Sequence, residues 1–114
     1  MAQFILFIRG GSDVSANLSP EQIRASIKRF SDWARKLRAE GKLITAEKLK
    51  DGAGMLVGMH GGQIVVDGPF AETKETIGGY FIIEAKDMAE AITITKDSPA
   101  MSEGSTVEVR EVEI

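Results

Sequence analysis

Cysteine is absent from this chain of 114 residues, and histidine, tryptophan and tyrosine occur once each. The absence of cysteine excludes disulfides, thiolate metal sites and a cysteine nucleophile, and it is consistent with a reducing cytoplasm. No apolar run approaches the roughly 18 residues that a membrane-spanning helix requires. No basic region precedes the short apolar run at residues 4–8. We therefore expect a cytoplasmic protein with no membrane partner.

The chain also lacks a large excess of one charge. Its net charge is −3, although 27% of its residues are charged. Basic residues are concentrated in one predicted helix: Arg24, Lys28, Arg29, Arg35, Lys36 and Arg38. Such a face could attract nucleic acid, but the acidic balance of the whole chain favours an ordinary solvated helix surface. We expect no direct contact with nucleic acid.

The apolar patterns and turn residues predict one domain over residues 1–114. The predicted elements are strand 3–9, helix 20–40, strand 43–50, hairpin strands 55–59 and 63–66, strand 79–85, helix 87–96 and strand 106–112. Ser19, Pro20 and Gln22 form a helix start with a capping box. The first helix has an apolar stripe with Trp33 at its edge: Ile23, Ile27, Phe30, Ala34 and Leu37.

This order is α+β, a ferredoxin-like βαββαβ arrangement with an inserted β-hairpin. The strands at 3–9 and 79–85 are apolar on both faces. Two helices can cover only one face of the sheet, so the other face needs a second cover. The simplest cover is a second copy of the same sheet. We therefore predict a homodimer whose two sheets meet face to face.

The segment 66–84 contains the main concentration of reactive polar groups. Asp67, Glu72 and Lys74 are candidates for catalysis, and Glu72, Lys74 and Tyr80 are candidates for ligand binding. An acid beside a lysine can exchange protons, and a tyrosine can orient or protonate a bound oxygen. The alternative is structural: Asp67 closes a turn before Gly68 and the other charges are solvated. The residues alone leave both interpretations open.

His60 is a further ligand-binding candidate, since it could pair with Asp67 or Glu72. It lies in a predicted turn and has no partner at metal-ligand spacing. No serine lies in a nucleophile elbow, and no phosphate-binding loop follows the glycines near His60. We therefore predict no metal site and no cofactor.

The run Asp67-Gly68-Pro69-Phe70-Ala71-Glu72-Thr73-Lys74-Glu75, followed by Gly78-Gly79-Tyr80-Phe81, resembles the signature of the DGPF branch of the YCII-related proteins. The resemblance extends over nearly the whole chain and implies a dimeric α+β barrel. Most proteins of the family that this chain resembles are uncharacterised bacterial proteins, and many are encoded beside extracytoplasmic-function sigma factors. A related branch places a histidine on the first helix, where this sequence has Phe30. The histidine-based chemistry proposed for that branch is therefore not expected here.

Two functions of different class follow. The first is binding or transformation of a small molecule in a cleft beside residues 67–76, which we call the signature segment. The second is a non-enzymatic regulatory or interaction module that associates with a sigma factor. The sequence does not decide whether the protein is an enzyme, and it does not identify a substrate.

Overall fold

The computed structural model describes residues 1–9, 18–50, 54–66 and 77–114. Within these ranges the chain forms six strands and two α-helices. They are β1 (Ala2–Arg9), α1 (Pro20–Ala39), β2 (Leu43–Lys48), β3 (Val57–His60), β4 (Gln63–Val66), β5 (Ile77–Ala85), α2 (Met88–Lys96) and β6 (Thr106–Glu111), with a 3₁₀ turn at Pro99–Met101. Every predicted element is present, and no boundary differs from its prediction by more than two residues.

Four strands form the main antiparallel sheet, in the order β2-β5-β1-β6. The strands predicted to be apolar on both faces, β1 and β5, are the two central ones. Strands β3 and β4 form a separate two-stranded sheet, inserted in the chain between β2 and β5. This order confirms the α+β class and the ferredoxin-like arrangement with an inserted hairpin.

Helix α1 begins where its capping residues predict. The backbone N–H of Gln22 donates to Ser19 Oγ at 3.1 Å, and the backbone N–H of Ser19 donates to Gln22 Oε1 at 2.8 Å. Both interactions satisfy donors that the first helical turn would otherwise leave unpaired. The helix ends at Ala39 with Glu40 as its C-cap, and Gly41 follows with a φ of 73°, a left-handed conformation that favours glycine.

The core lies between the two helices and one face of the main sheet. Its sheet side is formed by alternate residues of the central strands, and its helix side by Trp33, Leu37, Ala91 and Ile94. The buried sheet residues are Phe4, Leu6, Phe81, Ile83 and Ala85. Trp33 packs on Phe81 with ring centroids 4.8 Å apart. Burial of these side chains holds α1 against β5.

The position of Trp33 corrects the predicted stripe of α1. Trp33 is 5% exposed and lies at the centre of the contact, whereas Ile27 is 40% exposed. A four-three spacing that begins at Ile23 drifts around the helix, because 3.6 residues per turn does not match a repeat of 3.5. The prediction placed Trp33 at the edge of the stripe, and this was wrong. Neither described helix is long and apolar enough to cross a membrane.

Candidate functional site

Both described helices pack on the same face of the main sheet, so the other face is the natural place for a site. Strand alternation and register arrange this open sheet face in two rows across the four strands. The first row is Glu47, Tyr80, Phe7 and Glu108. The second row is Thr45, Ile82, Ile5 and Arg110.

The open sheet face therefore has an apolar centre and a polar rim. Ile5, Phe7, Tyr80 and Ile82 occupy the two central strands, and each is half-buried. Phe7 and Tyr80 lie directly opposite each other on neighbouring strands, at a spacing that allows side-chain contact. We call these two residues the aromatic pair. The edge strands contribute carboxylates, a guanidinium and a hydroxyl. Apolar walls with a few polar groups are typical of small-molecule sites.

An ion pair lies beside the aromatic pair. Arg9 donates from Nε to Glu108 Oε1 at 3.0 Å, and its Nη2 makes a second, shorter bond to the same oxygen. Arg110 Nη1 lies 3.7 Å from the other carboxylate oxygen of Glu108. The Arg9 and Glu108 side chains are 28% and 35% exposed. This geometry leaves both charged groups partly accessible next to Phe7.

β5, the strand that follows the signature segment in sequence, begins at the end of the sheet where Arg9 lies. β1 and β2 end there, at Arg9 and Lys48, while β5 and β6 begin there, at Ile77 and Thr106. Residues 67–76 join the sheet at Ile77, two positions before Gly79. Three predicted site residues, Asp67, Glu72 and Lys74, lie outside the described residues.

The two remaining site residues belong to different sheets. Tyr80 is on the open face of the main sheet, in the row between Glu47 and Phe7. His60 is exposed at the end of β3, beside the turn glycines Gly61 and Gly62. Among the described residues, no group of three or more histidine, aspartate or glutamate side chains could hold a metal ion.

Sequence reasoning missed Arg9 and Glu108. The partner of Glu108 is Arg9, which is 99 positions away, near the other end of the chain. The alternation of β1 contained the relevant signal, because it places Arg9 on the same face as Phe7. Only the register of β1 against β6 shows that the two charges meet.

Besides the open sheet face, a depression lies on the helix layer, and its volume is about 290 Å³. Its charged residues already satisfy each other: Glu103 accepts from Ser26 Oγ at 2.6 Å and from Arg29 Nε and Nη2 at 2.9 and 2.8 Å. Paired groups of this kind tie α1 to the loop before β6. No aromatic side chain lines this depression, whereas Phe7 and Tyr80 lie on the open sheet face, so the open sheet face is the better candidate.

The fold defines a ferredoxin-like α+β protein in which the two described helices cover one sheet face and leave the other open. The YCII-related domain matches residues 3–113, so the chain belongs to the YCII-related family. An uncharacterized protein of Rhizobium meliloti (strain 1021) is 34% identical over 100 residues, which are 85% of this chain and 81% of that protein.

A solved structure of similar fold is 5-chloro-2-hydroxyhydroquinone dehydrochlorinase (TftG) from Burkholderia phenoliruptrix, in complex with 2,5-dihydroxybenzoquinone. Its sequence identity to this chain is 14% and the TM-score is 0.51. The likeness covers 97% of this chain and 93% of the dehydrochlorinase chain. At this identity the comparison confirms the fold and not the activity.

Proposed function

We propose that this YCII-related protein binds a small molecule on the open sheet face, at the end where residues 67–76 join β5. The supporting observation is the row of Tyr80 and Phe7 beside the Arg9–Glu108 ion pair. The aromatic pair supplies a surface for a flat ring, and Arg9 supplies a partly exposed cation for an oxygen substituent. The proposed ligand is accordingly a small planar molecule with polar oxygen atoms.

The signature segment would complete this site. Glu72 and Lys74 supply an acid and an amine two positions apart, and Tyr80 supplies a hydroxyl on the sheet. A carboxylate close to a lysine can accept a proton, and a tyrosine can donate one to a developing oxyanion. These roles describe acid–base chemistry on the bound molecule. The acid–base roles of Asp67, Glu72 and Lys74 are part of this proposal.

The proposal also includes a second copy of the chain. The row of Ile5 and Ile82 has no cover from the two described helices, and pairing two open faces would bury it. Two facing sheets would also remove bulk water from the Tyr80 row, which strengthens electrostatic contacts to a ligand. We therefore place the ligand between the two sheets, with the aliphatic rows packed against each other.

Isothermal titration calorimetry with 2,5-dihydroxybenzoquinone as the first probe tests the site. This molecule is bound by the dehydrochlorinase of similar fold and is a planar ring with four oxygen substituents. We expect saturable binding that Tyr80→Phe, Glu72→Gln and Lys74→Met each weaken at least tenfold. Loss of one charged or hydroxyl partner in a partly desolvated site is sufficient for such an effect.

Lys28→Met is the matched control for Lys74→Met. Lys28 is on the exposed surface of α1, where it donates to Asp32 at 2.7 Å, so its loss should leave binding within twofold of wild type. All four variants should keep the wild-type circular dichroism spectrum, because each replaces one polar group by a side chain of similar size. Equal affinity of Lys74→Met and Lys28→Met would contradict the proposed role of the signature segment.

A further inference from the structure

The inserted hairpin has one face made entirely of aliphatic side chains. Register pairs Val57 with Val66 and Met59 with Ile64, and alternation puts all four on the same side. We call these four residues the apolar hairpin face. Their exposed fractions are 66%, 54%, 63% and 74% in the same order. Neither the open sheet face nor the core uses this surface.

The hairpin lacks the charged residues and prolines that usually protect a free sheet edge in solution. Residues 54–66 contain no Asp, Glu, Lys or Arg, in a chain where 27% of residues are charged. Exposed edges usually contain lysine or proline, or are covered by another element. An isolated two-stranded hairpin is also marginally stable in water. The apolar hairpin face therefore needs a surface to pack against.

The described body of the chain does not provide that surface. β3 and β4 pack chiefly against each other, and no described helix covers them. The Cα radius of gyration is 15.9 Å, whereas a compact domain of this length has a value of about 13 Å. This expansion fits a hairpin that is not folded onto its own main sheet.

We propose that the apolar hairpin face docks against a second copy of this chain. This inference rests on the homodimer that the proposed function includes. It extends the contact between the two chains from the open sheet face to the hairpin. Each hairpin presents on the order of 500 Å² of apolar surface, comparable with the largest patches on monomers. Two symmetric hairpins and the surfaces they cover would reach the range of about 1,200–2,000 Å² that stable interfaces bury.

Composition favours a second copy as the partner. Interface cores are depleted in charge and enriched in methionine, and this segment has no charge and includes Met55 and Met59. Two chains with a net charge of −3 each repel one another. An uncharged segment is a place where they can approach without burying like charges.

The absence of cysteine permits a direct test with single-thiol variants of the full chain. Ile64→Cys places a thiol on the apolar hairpin face, and Gln63→Cys places one on the opposite face at the neighbouring position. Reaction rates with Ellman's reagent are measured from nanomolar to high micromolar protein. We expect the Ile64→Cys thiol to react at least tenfold more slowly at high concentration, while the Gln63→Cys thiol changes less than twofold.

Charge substitutions at the same two positions supply an independent measurement. By sedimentation equilibrium, Ile64→Glu should raise the dimer dissociation constant at least tenfold, and Gln63→Glu should raise it less than twofold. Equal effects would overturn the inference. Slow reaction of the Ile64→Cys thiol at every protein concentration would also overturn it, because the cover would then be a segment of the same chain.

The test of hairpin docking and the test of the proposed function can fail independently. Calorimetry with the planar probe reports on Tyr80 and the signature segment, whereas thiol protection reports on the hairpin. Wild-type ligand binding with a fully reactive Ile64→Cys thiol would reject hairpin docking alone. A protected thiol without probe binding would reject the ligand site alone. A wild-type chain that stays monomeric at every concentration would reject docking to a second copy.

Discussion

Gly79 occupies a buried position where β2 and β5 approach closely. A Cβ atom built at Gly79 would lie 2.7 Å from the backbone oxygen of Glu47 and 3.4 Å from Lys48 Cα. Both contacts are with backbone, so the two strands would have to move apart. We predict that Gly79→Ala destabilises the protein by about 1–3 kcal/mol, the usual cost of overpacking. Urea denaturation followed by circular dichroism measures it.

Gly78 is the matched control for this prediction. A Cβ atom at Gly78 would meet Ile8 O at 3.9 Å, an ordinary contact. We expect Gly78→Ala to change the free energy of unfolding by less than about 1 kcal/mol, with a small gain from the reduced freedom of the unfolded chain. Equal losses in both variants would mean that strand approach is not the reason for glycine at position 79.

Single-residue features were predictable from the sequence where the interaction is local. Ser19 and Gln22 are three positions apart, so their spacing alone predicted the capping box that the structure contains. The burial of Trp33 was not predictable in the same way, because it depends on which part of α1 faces Phe81. The pairing of Arg9 with Glu108 depends on strand register, which one sequence does not specify.

At the scale of elements, an ion pair joins the two helices. Lys36 Nζ lies 2.6 Å from Asp97 Oδ2, at the end of α2. This hydrogen bond and the charge of Lys36 lower the pKa of Asp97 below its ordinary value, and the same interactions raise the pKa of Lys36. Both side chains are more than half exposed, so the effect on stability is small and sensitive to salt.

The direction of the pKa shift of Asp97 fixes the pH dependence. Because the pKa of Asp97 is lowered in the folded state, the ion pair contributes to stability at pH values above the unfolded-state pKa. That contribution is lost as the pH falls through the folded-state pKa. We predict that Asp97→Asn lowers stability slightly at pH 7, and that the difference from wild type is lost as the pH falls through the folded-state pKa of Asp97. Urea denaturation at pH 7 and across an acidic pH series measures this.

A double-mutant cycle isolates the pair. Lys36→Met should cause a similar loss at pH 7, and adding Asp97→Asn to it should cost little more. High salt should reduce the loss in each single variant. Strictly additive losses would show that the two side chains act independently, and that the ion pair does not join the helices.

The elements themselves were largely predictable because each depends on short-range patterns. Alternation identified β1 and β5 as strands with two apolar faces, and turn glycines marked the hairpin. The hairpin's separation from the main sheet was not predictable, since strand pairing is a long-range choice. For the same reason the sequence identified Tyr80 as a candidate but could not place it beside Phe7.

At the scale of the whole molecule, the proposed function depends on whether two copies of the chain form a dimer. The sigma-factor partner implied by the family resemblance stays a prediction. The homodimer has a stronger physical basis, because the open sheet face includes Ile5, Phe7, Tyr80 and Ile82 without cover from the described helices. A contiguous apolar surface of this kind usually marks an interaction site.

We predict that the wild-type chain sediments at micromolar concentration with twice its mass of 12.3 kDa. Ile82→Glu would place a charge at the centre of the open sheet face, next to Ile5, and should produce a monomer. Ile92→Glu is the matched control, because Ile92 is 41% exposed on α2, in the helix layer. That variant should remain dimeric. A folded wild-type monomer, or equal dissociation of both variants, would show that the open sheet face is not where two chains meet.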